Sequence, residues 1–72
     1  MNAESLYHYD LSRTEWCRLI DEYVFDERDR AMLKRRLLDG IIYERLAEEF
    51  NMSVAQIKRR VAASSRQLFK HL

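Results

Sequence analysis

The amino-acid sequence predicts an all-α fold, a small four-helix domain, and three observations carry that prediction. Proline is absent and glycine occurs once in 72 residues, so little interrupts a helix. Two segments, Ser12-Arg13-Thr14-Glu15 and Ser53-Val54-Ala55-Gln56, have the pattern of a capping box, in which the cap hydroxyl accepts from an orphan amide and the third helical side chain reaches back to the cap. Behind the first box, Trp16, Leu19, Ile20 and Tyr23 follow the i, i+3, i+4, i+7 spacing of one buried helical stripe.

The first helix therefore starts after Ser12. Trp16 would anchor an interface if exposed, but a tryptophan in line with three apolar residues is more often core. Asp26 caps the second helix, and the acids of Asp26-Glu27-Arg28-Asp29 suit the positive end of its dipole. Met32, Leu33, Leu37 and either Leu38 or Ile41 face its core side, while Lys34, Arg35 and Arg36 fall in the later turns, where cations are favoured. Gly40 can take positive φ without a Cβ penalty and is expected at the C′ position that closes the helix.

A short third helix runs from Tyr43 to Glu49 or Phe50, with Leu46, Ala47 and Phe50 inward. Ser53 caps the fourth, Gln56 completes the box, and Met52 can staple onto Ile57. Asn51 tolerates the left-handed region, so Phe50-Asn51-Met52 reads as a tight turn. Residues 43–72 then form a C-terminal helix-turn-helix within a single domain spanning 1–72. The fourth helix is expected to run from Ser53 to Leu72, with Val54, Ile57, Val61, Ser64, Leu68 and Leu72 on its inward stripe.

Composition limits the function. Apolar residues make up 47% and charged residues 35%, the balance of a globular domain with one thin core. Cys17 is the sole cysteine, and His8 and His71 stand near opposite ends, so no disulfide or metal-ligand cluster is expected. No paired-acid pocket, nucleophile–base set or glycine-rich phosphate loop can be assigned, so an enzyme is not expected and no cofactor is implied. No apolar run approaches a membrane span and the N-terminus lacks a signal-peptide pattern, which makes the cytoplasm the expected location. Tyr7-His8-Tyr9 reads as an arm covering the core, a short strand or a nucleic-acid-contacting tail.

The net charge of +1 conceals a division. Residues 1–52 hold eight Lys/Arg against twelve Asp/Glu, whereas residues 53–72 hold five Lys/Arg and no acid. That asymmetry attracts a polyanion to the C-terminal helix, although a solvated basic helix has the same composition.

The major groove of B-DNA admits a helix, and its N-terminal residues approach the base edges. Gln56 can pair bidentately with adenine and Arg59 with guanine, while Ala55 can meet a thymine methyl. The candidate base readers are Ala55, Gln56, Arg59 and Ala63. Lys58, Arg60, Arg66 and Lys70 are candidates for phosphate contact, as are Tyr43 and Arg45 near the start of the third helix. The alternative readings are that Gln56 serves only as a cap, Tyr43 only in packing and Lys70 only in solubility.

Residues 25–72 resemble region 4 of bacterial sigma factors, and more loosely the helix-turn-helix of response-regulator transcription factors. The matching residues are Asp29-Arg30, Leu33, Arg36, Leu38, Gly40, Tyr43-Glu44, Leu46-Ala47-Glu48-Glu49-Phe50, Ser53-Val54 and Ile57-Lys58-Arg59-Arg60. The resemblance implies promoter recognition by the fourth helix and contact with RNA polymerase by the rest. The small domain also looks like sigma-like proteins of phages and mobile elements. Ile42 departs from the family's capping serine or threonine, and Asn51 from its turn glycine.

Two functions are therefore carried forward. One is sequence-specific double-stranded DNA binding in transcription regulation, with affinity added by RNA polymerase or by homodimer formation. Trp16, Leu19, Ile20 and Tyr23 would supply that protein interface. The other is a helical interaction module that contacts polymerase or another regulator without reading bases.

Overall fold

The computed structural model describes residues 10–72. Over these the chain forms four α-helices: α1 Arg13–Tyr23, α2 Glu27–Leu37, α3 Tyr43–Phe50 and α4 Val54–Phe69. Tyr7, His8 and Tyr9 lie outside the described residues. No helix among the described residues is long and apolar enough to cross a membrane.

Side-chain caps set three of the four starts. Ser12 Oγ accepts from the Glu15 amide at 3.1 Å, and Glu15 Oε1 accepts from the Ser12 amide at 3.3 Å. Asp26 Oδ1 accepts from the Asp29 amide at 3.0 Å. At α4, Ser53 Oγ takes the Gln56 amide at 3.1 Å and Gln56 Oε1 takes the Ser53 amide at 2.9 Å. The N-cap of α3 is Ile42, whose side chain makes no cap bond, as an aliphatic residue must. The eight residues of α3 therefore depend on packing more than on local bonds.

Two left-handed residues turn the chain. Gly40 adopts φ +67°, and the Ile41 amide reaches back to the Arg35 carbonyl at 3.1 Å. The C-cap of α2 is Leu38, so the glycine stands one position beyond the C′ site expected for it. Asn51 takes φ 54°, ψ 49°, and the Met52 amide donates to the Ala47 carbonyl at 3.0 Å. Asn51, Met52 and Ser53 alone separate α3 from α4, a helix-turn-helix connection.

The core draws on all four helices: Trp16, Ile20 and Val24 from α1 and its end, Met32, Leu33 and Leu37 from α2, Leu46 from α3, and Ile57, Val61 and Leu68 from α4. Each such side chain contributes about 1.5–3 kcal/mol on burial. Packing of α4 is most extensive against α2, followed by α3. Val24 extends the Trp16–Ile20 row by one more turn; the backbone leaves the helix there at φ −106°, ψ 113°, and the side chain is fully buried.

The expected C-terminal end of α4 needs correction. The helix stops at Phe69, with Lys70 as its C-cap, and Leu72 is exposed instead of continuing the inward stripe. Ser65 is buried together with Ser64. Burial of Ser64 is tolerated because its hydroxyl donates to the Arg60 carbonyl at 2.8 Å, the i−4 bond open to a helical serine.

Candidate nucleic-acid interface

The Ser53–Gln56 box fixes where α4 begins, and burial of Ile57, Val61, Ser64 and Leu68 fixes its rotation. The opposite face then presents Ala55, Gln56, Arg59, Ala63, Arg66 and Lys70, all exposed. The small Ala55 and Ala63 leave Arg59 standing clear between them, which suits close approach of a flat or grooved partner. Gln56 and Arg59 border a shallow depression completed by Met52 and Arg60. No acid lies within α4.

Gln56 carries two assignments at once. Its Oε1 is bonded to the Ser53 amide, so the grip on adenine, which uses the oxygen and the nitrogen together, competes with the cap. Tyr43 and Arg45 lie at the N-terminal end of α3. The Tyr43 ring is half-buried between two cations: Arg36 Cζ is 4.2 Å and Lys58 Nζ 5.5 Å from its centroid, within cation–π range. Packing between helices is thus its structural role. Arg45 is 67% exposed and only 3.9 Å from Glu49, a carboxylate already held by Arg35.

Arg60 differs from the other basic residues of α4. Its Nε lies 2.9 Å from Asp29 Oδ1, and its Nη2 is 3.9 Å from Asp26. Arg60, a candidate for phosphate contact, is therefore engaged by α2 and the α2 cap, and its charge is partly offset there. Burial pushes the Asp29 carboxyl above its ordinary value, opposed by the neighbouring Arg60 charge. Asp26 is held below the ordinary range, chiefly by the Asp29 amide it accepts from.

Asp21, Asp39 and Glu49 are paired apart from α4. Arg13 meets Asp39 at 2.7 Å and Lys34 meets Asp21 at 2.7 Å. Arg35 bridges Asp39 and Glu49, tying the end of α2 to α3. The Arg35 hydrogen bond lowers Glu49, and the Arg13 hydrogen bond lowers Asp39. Arg28 also donates to the Phe50 carbonyl at 2.6 Å, closing the C-terminal end of α3 beside the turn. None of these pairs draws on Arg59, Arg66 or Lys70, which stay exposed on α4.

Two of the four proposed protein-interface residues, Trp16 and Ile20, are also corrected. Trp16 and Ile20 belong to the intramolecular core, with the Trp16 and Phe69 rings 5.9 Å apart. Leu19 and Tyr23 are half-buried against that core, and Tyr23 stacks on His71 with centroids 4.1 Å apart. The Trp16–Ile20 part of the α1 stripe is therefore satisfied within the chain. The most exposed large apolar side chains among the described residues are instead Phe25, at 79%, and Ile42, at 61%. Position was the available signal: each stands between helices, outside any buried stripe.

Arg36, Asp29 and Arg28 position the site although their parts in it had no local signature. Their partners are Tyr43, Arg60 and the Phe50 carbonyl, relationships that exist only after the helices pack. Compared with known protein families, curated proteins and solved structures, the chain matches none.

Proposed function

We propose that this chain binds double-stranded DNA sequence-specifically in transcription regulation. The observation that carries the reading is the acid-free outer face of α4, where Gln56 and Arg59 stand beside each other directly after a tight turn. In this reading α4 enters the major groove, Arg59 bonds guanine, and Ala55 and Ala63 permit close approach. Lys58, Arg66 and Lys70 attract phosphates, and Arg45 with the side-chain-uncapped start of α3 faces the backbone.

The resemblance of residues 25–72 to sigma factor region 4 supports a transcriptional role, in the cytoplasm and in association with RNA polymerase, as in the sigma-like proteins of phages and mobile elements. A single domain of this size covers limited DNA, so polymerase or a second copy would add affinity by joining two weak contacts. Exposed Phe25 and Ile42 favour a protein contact and keep the second reading in view, that of an interaction module which reads no bases.

Selection of bound genome fragments at several salt concentrations, with mass measurement of the complexes, tests the proposal. Enriched sites are expected, with an affinity that falls as salt rises. Arg59→Ala should relax the preference at one position, and Arg66→Ala or Lys70→Ala should reduce the salt slope by about 1 without changing the preferred sequence. Absence of enriched sites together with salt-independent binding would overturn it in favour of the interaction module.

A further inference from the structure

We propose that Gln56 reads DNA through its amide NH₂ alone, recognising a hydrogen-bond acceptor on a base edge, because its carbonyl oxygen is committed to the Ser53 amide. The inference rests on the DNA-binding reading and specifies the chemistry of one residue within it.

A glutamine side chain has one acceptor oxygen and two N–H donors on the same planar group. Bidentate recognition of adenine presents both ends to one base: the oxygen takes the N6 amino hydrogen and the NH₂ donates to N7. In this domain Oε1 lies 2.9 Å from the Ser53 nitrogen, which turns that end of the group back toward the helix start. The Ser53 amide is one of the orphan donors at the N-terminus of α4, and satisfying it is the function of the box. Turning the oxygen outward would give up that bond. The NH₂ has no such duty, and Gln56 is exposed beside Arg59.

A donor-only Gln56 has a different code from a bidentate one. It accepts adenine or guanine through N7, guanine through O6 and thymine through O4, and it disfavours the amino group of cytosine. Arg59, also a donor throughout, lies one helical turn away on the same depression. The two residues together form a donor pair that fits acceptor-rich edges, with guanine the best match to both.

The test uses the wild-type protein, so the fold is constant, and alters the DNA. In the best selected duplex, the base whose preference disappears in Gln56→Ala is identified. If that base is a purine, it is replaced by its 7-deaza analogue and, for adenine, by purine lacking the N6 amino group. The expected result is about a tenfold loss on removal of N7, or for guanine on removal of N7 or replacement of O6 by sulfur, and no loss on removal of the adenine amino group. For thymine, the corresponding probe is 4-thiothymine, which weakens the acceptor and should weaken binding.

A second measurement uses Gln56→Glu, which keeps an acceptor for the Ser53 amide and turns the outward atom from donor to acceptor. Its melting temperature should match wild type while its preference moves to the amino-bearing cytosine. A tenfold loss on removing the adenine amino group, or an unmoved preference in Gln56→Glu, overturns the inference while leaving DNA binding intact. Absence of any selective duplex overturns the DNA-binding reading and this inference with it.

Discussion

Arg60 Nε rests 2.9 Å from Asp29 Oδ1, and neither atom has a well-aligned hydrogen bond although both are shielded from solvent. The contact is an ion pair with poor N–H···O alignment, and it joins α4 to α2 at the end nearest the turn. Removing one partner strands the other. Arg60→Ala should destabilise the domain by about 1 kcal/mol, since Asp29 is left desolvated while the exposed part of the pair is screened. The double variant with Asp29→Asn should recover part of the loss, and urea unfolding of the four members of the cycle measures the coupling. Strict additivity would show that the pair does not hold α4.

Trp16 offers the clearest stability test. It is 3% exposed and packs near Phe69, so Trp16→Ala should cost about 3–5 kcal/mol through lost burial and the cavity left behind. In a domain this small that is a large part of the total, and far-ultraviolet circular dichroism should show a partly or wholly unfolded chain at room temperature. A well-folded variant with unaltered melting would place Trp16 outside the core.

The left-handed positions Gly40 and Asn51 predict opposite responses to exchange between glycine and asparagine. Nothing lies within 4 Å of a Cβ built on Gly40, so Gly40→Ala has space but must hold φ near +67°; it should lower stability by about 1 kcal/mol, and Gly40→Asn by less. At Asn51, Asn51→Gly should be neutral or mildly stabilising and Asn51→Ala destabilising by about 1 kcal/mol. Thermal melts of the four variants decide the order.

Acid should weaken the fold through the Arg35 and Arg13 networks. Glu49 and Asp39 have folded-state pKa values below their ordinary ones, so their contribution is present above the ordinary carboxylate range and is lost as pH falls through the lowered values. Asp26 acts in the same direction. Asp29, raised by burial, acts in the opposite direction and blunts the change. Denaturant unfolding across the acidic range should show stability falling with pH, less steeply in Glu49→Gln. A Glu49→Gln profile parallel to wild type would remove Glu49 from the cause.

Sequence patterns located the helices because their signals are local. Ser12, Asp26 and Ser53 cap within three residues of themselves, and Asn51 needs only its own backbone. The rotation of α4 was legible for the same reason, since Ile57, Val61 and Leu68 lie on one helical stripe. What could not be read was competition and long-range pairing. Gln56 has a capping role and a proposed reading role in one amide, and only geometry shows which atom the cap uses. Arg60 looked like its neighbours Lys58 and Arg59 until packing placed Asp29 beside it. Trp16 and Ile20 had both core and interface readings, decided by whether α4 covers them. Leu72 continued the stripe on paper, but the chain leaves the helix before reaching it.

The dominance of α2 in holding α4 bears on portability. A graft limited to residues 43–72 would carry the turn and the exposed face but leave Met32, Leu33 and Leu37 behind, exposing the flank of Ile57, Val61 and Leu68. The smallest transplantable unit must therefore include α2, and exchange of the exposed residues of α4 is best made within the intact scaffold.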